Sequence, residues 1–269
     1  MNLWHAIVLG LVEGISEFLP ISSTGHLLVV ERLLGLGTGD GKIAADTYAV
    51  AIQLGAILAV VGLFRARIGS ILRGMIGRDP DGARLLARLI VAFLPAAVVG
   101  LALDSTIKSH LFGPWPIVVA WAIGGAFLLW WQAPLGRTRL VDMTTRQATI
   151  IGAAQVLALW PGTSRSLTTI VAALAVGLTM AAAVEFSFLL GLATLAAATV
   201  LDLGKHGGEM VDRFGVATPL VGAVVAAVSA ALAVRWLVAY LRTRPLRIFG
   251  WYRLGAALVT VLLLATHQL

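Results

Sequence analysis

The sequence predicts an all-α, polytopic membrane bundle with about six full crossings and two re-entrant helical hairpins, arranged as an inverted-topology repeat. Three observations predict it. Hydrophobic residues make up 59% of the 269 residues, charged residues only 12%, and mean hydropathy is +0.94, whereas an ordinary soluble domain is about 25% charged. The apolar runs are about 20 residues long, as an α-helix needs to cross ~30 Å of hydrocarbon, and they lack the alternation of a membrane β-barrel. Two further segments carry ionisable and hydroxyl groups within apolar sequence and are broken by proline and glycine. Irregular backbone at membrane depth is tolerated only where protein or a water-filled cavity covers it.

Residues 1–36 form the first predicted hairpin, broken near Pro20, and crossings follow at 46–64, 84–102 and 114–131, giving a first repeat over 1–132. The second repeat, 145–269, opens with a hairpin over 145–180 broken near Pro161-Gly162 and continues with crossings at 183–203, 216–238 and 249–267. Proline removes a backbone donor and glycine loosens a helix, so each hairpin breaks at its polar tip. The cations set the orientation. Arg65, Arg67, Arg73, Arg78, Arg84, Arg88, Arg137, Arg139, Arg146, Arg235, Arg242, Arg244, Arg247 and Arg253 fall on one side, and Lys42, Lys108, Lys205 and Arg213 on the other. The positive-inside rule places the arginine-rich side in the cytoplasm and both termini outside. A single span in place of either hairpin would invert every later loop, so each hairpin must leave on its entry side, the first from outside and the second from inside.

Topology thus explains the net charge of +7, and no nucleic-acid partner is expected. There is no cysteine, hence neither disulfides nor thiolate metal chemistry. The N-terminus has no basic n-region or small-residue cleavage site, so no removable signal peptide is read.

The hairpins echo each other, Glu13 through Pro20 to Ser22-Ser23 and Gln155 through Pro161 to Thr163-Ser164. In inverted repeats the polar site lies where the broken segments meet, and free helix N-termini there attract anions. Charge inside a membrane segment is costly and marks function. Once the loop cations are assigned, only Arg32 and Arg165 remain, and Arg165 sits at a tip between Ser164 and Ser166, where it suits an oxyanion. The competing reading is an arginine that snorkels to the interface.

The runs Glu13-Gly14-Ile15-Ser16-Glu17-Phe18-Leu19-Pro20-Ile21-Ser22-Ser23-Thr24-Gly25-His26 and Pro161-Gly162-Thr163-Ser164-Arg165-Ser166 closely resemble the two signature motifs of the undecaprenyl-diphosphatase family, the bacitracin resistance proteins. Ile52-Gln53-Leu54-Gly55, Asp142-Met143-Thr144, Glu185 to Leu190 and Tyr252-Arg253 look like further landmarks in order. Leu167 and Ala193 depart from the usual glycine and proline. The resemblance implies an enzyme of the bacterial inner membrane that removes the terminal phosphate of undecaprenyl diphosphate and so recycles the lipid carrier of peptidoglycan synthesis. It also implies divalent-metal dependence and a site facing the periplasm.

That chemistry requires neutralised phosphate oxygens, a nucleophile and a base. Arg165 would bridge phosphate oxygens as a fork, with Ser22, Thr24, Thr163, Ser164 and Ser166 adding neutral donors. Glu13 and Glu17, at i and i+4, share a helix face, and their hard oxygens suit Mg²⁺ or Ca²⁺; bonding to broken backbone and sharing a proton are the alternatives. His26 follows Ser23 by three residues, so a helix there puts imidazole and hydroxyl on one side. Either Ser23 attacks phosphorus with His26 taking its proton, or His26 or Glu17 orients a water. Ser22 and Thr24 are alternative nucleophiles or helix caps.

Gln53, Gln155, Glu185, Ser187 and Asp202 are weaker candidates to line the cavity or join helices. Tryptophans such as Trp4, Trp130, Trp160 and Trp251 read as interface anchors. Small-residue runs permit close helix approach and an apolar groove for a polyprenyl tail, and a homodimer is allowed but not demanded. The alternative function is a transporter or flippase of an anionic polyprenyl lipid on the same scaffold, which the hydroxyl cluster disfavours because a carrier needs no nucleophile.

Overall fold

The computed structural model describes residues 1–36 and 42–269. Eleven α-helices run through the described residues. The first two are Leu3–Ser16 (α1) and Ser23–Leu33 (α2), separated at Pro20. Lys42–Leu63 (α3), Arg65–Met75 (α4), Pro80–Leu111 (α5) and Pro114–Trp130 (α6) complete the first half. Thr145–Gln155 (α7) runs through a 3-10 turn at Val156–Leu159 into the break, and Arg165–Ala175 (α8) leaves it. Met180–Phe214 (α9), Ala217–Tyr240 (α10) and Arg247–Ala265 (α11) end the chain.

Local chemistry sets the helix starts. Asn2 caps α1 by accepting the His5 N–H at 2.9 Å. Asp79 caps α5 with Pro80 in its first turn, and the Gly82 N–H and Ser70 hydroxyl hold the Asp79 carboxyl below the usual carboxylate range. Thr144 and Gln147 form a reciprocal capping box on α7, satisfying donors that a helix N-terminus leaves unpaired.

Five helices among the described residues, α3, α5, α9, α10 and α11, are long and apolar enough to cross a membrane. The sixth expected crossing, α6, has 17 residues, at the short limit for a span. Two expectations are corrected by length. α5 has 32 residues and α9 has 35, so at about 1.5 Å per residue both outrun the bilayer core. Lys108, Lys205 and Arg213, expected in loops, are therefore helical. α4 was not anticipated as an element; its arginines masked an 11-residue helix that lays Ile68 and Ile71 on the core.

Packing gathers the chain ends in two sets. At one end Arg67 pairs with Glu185 at 2.7 Å, Arg88 donates to the Leu140 and Val141 carbonyls, and Gln147 donates to the Val176 carbonyl. The start of α7 and the end of α8 thus lie together among the arginine-bearing segments. Elsewhere the Tyr48 hydroxyl reaches the Thr218 carbonyl at 3.2 Å, and Leu34 and Leu36 pack on the same apolar cluster as Phe214. The end of α2 therefore meets the start of α3 and the α9–α10 turn. Small residues bring helices close: at Gly55 an added Cβ would strike the Ala223 carbonyl of α10.

Candidate active site

The two hairpin breaks are built alike. Ser22 caps α2 at φ 74° and ψ 101°, and Ser164 caps α8 at φ 75° and ψ 113°. Their hydroxyls accept the N–H groups of Gly25 and Leu167. A non-glycine residue in this region costs about 1–3 kcal/mol and persists only where its surroundings enforce it, commonly at functional sites.

Those surroundings come from both halves. The Ser166 hydroxyl donates to the Leu19 carbonyl at 2.8 Å, and the Trp121 indole to the Ile21 carbonyl at 2.9 Å. Arg253, fully buried on α11, donates to four carbonyls: Pro20 at 3.5 Å, Thr163 at 3.2 Å, Ala120 at 2.9 Å and Gly162 at 2.8 Å. One guanidinium thus supplies donors to both breaks, where proline and irregular turns leave carbonyls without helical partners. Gly124 of α6 leaves room for it, since a Cβ there would meet the guanidinium.

Glu17 and Arg165 form the centre. One Glu17 carboxylate oxygen accepts the Arg165 Nη2 at 2.9 Å, and the other accepts the Ser23 hydroxyl. Arg165 Nη1 donates to the Ser187 carbonyl at 3.0 Å, its guanidinium lies over the Phe18 ring, and its buried Nε has no hydrogen-bonding partner among the described residues. A cavity of about 240 Å³ opens beside this pair, and its wall includes Glu17, Ser22, Ser23, Thr24, Gln53, Gln155, Ser164, Arg165 and Thr194.

The structure therefore brings Glu17, Ser22, Ser23, Thr24, Ser164 and Arg165 to one cavity. Thr163 and Ser166 instead tie the tips together, through the Thr163 carbonyl and the fully buried Ser166 hydroxyl. The expected pairing of His26 with Ser23 is not made. His26 Nδ1 meets the Ser22 carbonyl at 2.7 Å, Nε2 meets the Tyr252 hydroxyl at 2.8 Å, and the ring packs against Trp121 and Tyr252. Its imidazole borders a second, apolar cavity between α2, α6 and α11. Ser23 instead donates to Glu17, and the two side chains border different cavities.

One more expectation changes. Arg253, assigned to the cytoplasmic arginines, is interior. Trp160, read as an interface anchor, is half-buried and donates to the Pro116 carbonyl at 3.1 Å. Among the weaker candidates, Gln53 and Gln155 line the cavity, Ser187 hydrogen-bonds Thr169 at 2.6 Å behind Arg165, and Glu185 is held by Arg67. One oxygen of Asp202 is buried without a partner among the described residues. In the sequence Tyr252 is legible only as a landmark of resemblance, and Arg253 as that and as one of the arginine-rich side.

Glu13 is fully buried one turn before Glu17, and both of its carboxylate oxygens lack a partner among the described residues. No group of three or more His, Cys, Asp or Glu side chains in the described residues could form a metal cage. The two free Glu13 oxygens are hard donors of the kind Mg²⁺ takes, whereas both Glu17 oxygens are engaged by Arg165 and Ser23, so a cation shared with Glu17 would have to displace one of those contacts.

Broken hairpins that meet around a hydroxyl, a carboxylate and a guanidinium, in a bundle this apolar, define the class as a multi-pass membrane protein with a buried anion-competent site. Comparison with known sequences narrows it. The chain belongs to the bacitracin resistance protein BacA family, whose model matches residues 6–259. It is 47% identical over 259 residues to an undecaprenyl-diphosphatase of Sorangium cellulosum, covering 94% of this chain and 83% of that protein. It is 43% identical to undecaprenyl-diphosphatase 2 of Rhodospirillum rubrum, covering 95% and 93% of the two chains. It is 42% identical to an undecaprenyl-diphosphatase of Nitrosomonas europaea, covering 97% and 94%.

Proposed function

We infer that the chain is an undecaprenyl-diphosphatase, an integral membrane phosphatase that converts undecaprenyl diphosphate to undecaprenyl phosphate and inorganic phosphate. Its product returns to peptidoglycan synthesis as lipid carrier, and family membership links this activity to bacitracin resistance. The observation that carries the reading at this chain's own residues is the Ser23 hydroxyl donating to a carboxylate that also holds Arg165.

In the mechanism this geometry favours, Ser23 Oγ attacks the terminal phosphorus and its proton passes to Glu17. The P–O bond to the bridging oxygen breaks, undecaprenyl phosphate leaves with that electron pair, and a phosphoseryl enzyme forms. Glu17 passes that proton to the departing lipid monophosphate. Water then attacks phosphorus as Glu17 takes one of its protons, and the phosphorus–Ser23 Oγ bond breaks. Glu17 reprotonates Ser23 Oγ, and phosphate leaves with the water's oxygen and its other proton. Arg165 faces the charge that develops on the transferring phosphoryl group, in a site already organised before substrate arrives. Ser22, Thr24, Ser164 and the first N–H groups of α8 are neutral donors around it. Glu13 and Glu17 would hold Mg²⁺ or Ca²⁺; the cation, when bound, neutralises diphosphate charge. His26 acts as a positioning residue, gripping the Ser22 carbonyl while Tyr252 holds its other nitrogen.

Residues 1–132 and 145–269 are read as inverted repeats in the bacterial inner membrane. The clustering of arginine-bearing segments at one end supports a cytoplasmic placement of that end. Leu195 and Ala198, from the part of α9 remote from that end, line the cavity and support a periplasm-facing site. Because the chain has no cysteine, single-cysteine labelling at Arg73 and at Leu195 tests the orientation.

The test of function uses undecaprenyl diphosphate labelled with ³²P in the terminal phosphoryl group. Rapid acid quenching is expected to find label on Ser23 and, later, as inorganic phosphate, with none on a Ser23→Ala protein. Label appearing as phosphate without ever reaching Ser23 would favour direct water attack. No labelled phosphate at all would remove the phosphatase reading.

A further inference from the structure

Gln155 is the last residue of α7 and stands nine residues before Ser164, as Glu13 stands nine residues before Ser22. The two left-handed serines put the hairpins in one register, so Gln155 and Glu13 occupy matching positions. Both are buried, Glu13 fully and Gln155 with 2% exposure. Both lack partners: neither the Oε1 nor the Nε2 of Gln155 finds a hydrogen bond among the described residues. Unlike Glu13, Gln155 lines the cavity that holds Ser23 and Arg165. A buried amide left unpaired is a substantial penalty, and nothing in its packing requires it there, because a methionine would fill the same unbranched volume. The penalty is offset if a ligand completes the bonds.

We propose that Gln155 is a substrate-binding residue of the phosphatase site, its Nε2 donating to an oxygen of the bound diphosphate. The proposal rests on the phosphatase reading and deepens it. A neutral donor suits this wall. Arg165 already supplies the cation, and a second one would over-stabilise the anionic product, whereas an amide adds orientation without charge. Glu13 at the matching position of the other hairpin has no donor to offer, so the two halves divide the work between carboxylate and amide.

The deciding comparison is parent against Gln155→Met in detergent, reading three quantities: thermal unfolding, affinity for farnesyl methylenediphosphonate, whose P–C–P bridge resists hydrolysis, and kcat/KM on undecaprenyl diphosphate. A ligand-binding amide predicts opposite signs. The variant unfolds at the same temperature or higher, because replacing an unsatisfied polar group with an apolar one of like shape is neutral or stabilising. Analogue affinity and kcat/KM both fall about tenfold or more, the worth of a hydrogen bond to a charged group. Gln155→Glu, with the donor replaced by a like charge, falls further. Loss of thermal stability in Gln155→Met would overturn the proposal by showing that the amide has a structural partner. A fall in analogue affinity of less than about fivefold would overturn it by showing that the diphosphate ignores the amide. A parent that binds the analogue but releases no phosphate would count against the phosphatase reading alone, and the affinity comparison would still decide Gln155.

Discussion

Glu17 and Arg165 stand 148 residues apart in the chain and 2.9 Å apart in space, each almost wholly withdrawn from solvent. The pair joins the tips of the two broken hairpins, and Glu17 also takes the Ser23 hydroxyl. Removing one partner of a buried ion pair leaves the other charge unpaired and costs about 3–5 kcal/mol. Glu17→Gln and Arg165→Met are each expected to lower kcat by roughly a hundredfold or more. The double variant falls little further, since residues acting as a unit are non-additive. Steady-state kinetics on the four proteins checks this.

Gly191 predicts a loss of activity through the seat of Arg165. A Cβ at this position of α9 would meet the Arg165 guanidinium, the movable end of a flexible side chain, so the helix need not shift. Alanine is also the better helix former by about 1 kcal/mol. Gly191→Ala should lower kcat/KM by about tenfold as Arg165 is pushed from its seat, and should lower the unfolding temperature less than Arg165→Met does, because a helix-propensity gain of about 1 kcal/mol offsets part of the loosened ion pair.

Arg253 predicts a loss through the backbone of the two breaks. Its four carbonyl partners belong to both breaks and to α6, and each acceptor left unsatisfied in the interior costs about 1–3 kcal/mol. Arg253→Met is expected to lower the unfolding temperature and activity together. Arg253→Lys should recover little, because an ammonium cannot reproduce the planar fork. Thermal unfolding in detergent reads the difference.

The His26–Tyr252 contact of 2.8 Å gives a third kind of variant. If His26 positions Ser22 rather than taking the Ser23 proton, Tyr252→Phe should reduce kcat in the same direction as His26→Ala but less. Combining them should add nothing beyond His26→Ala. The phosphoseryl intermediate should still form in His26→Ala, more slowly, which acid-quench labelling detects.

Glu13, with two unpartnered oxygens, ties to metal use. Glu13→Gln should raise the Mg²⁺ concentration for half-maximal activity by about tenfold, while activity at saturating Mg²⁺ recovers much of the parent value. Titration of metal-stripped protein checks it, and a chelator should silence the parent reversibly.

Much of this arrangement is legible in the sequence. Runs of about 20 apolar residues have one physical use, and α3, α5, α9, α10 and α11 follow from them. Glu17 and Arg165 stand out because charge within such runs needs a partner, and Pro20 and Pro161-Gly162 mark the breaks because proline and glycine cannot carry a membrane helix unaided. Hydropathy does not say where a helix ends after leaving the bilayer, so α5 and α9 run further than their apolar windows, α9 until Gly215 at φ 69°. It counts charge without regard to burial, which placed Arg253 among the loop arginines. Helical spacing alone put His26 beside Ser23; the partners that hold each side chain, Tyr252 from α11 and Glu17 from the first hairpin, come from other segments and are invisible to any periodicity.

Phosphate release from undecaprenyl diphosphate by the purified protein, with Mg²⁺ or Ca²⁺ and beside folded Ser23→Ala and Arg165→Ala variants, is the most direct measurement. A phosphatase working at the junction of the two hairpins releases one phosphate per lipid in the parent and almost none in either variant. A folded, metal-supplied parent that releases none, or variants that keep the parent rate, would contradict it.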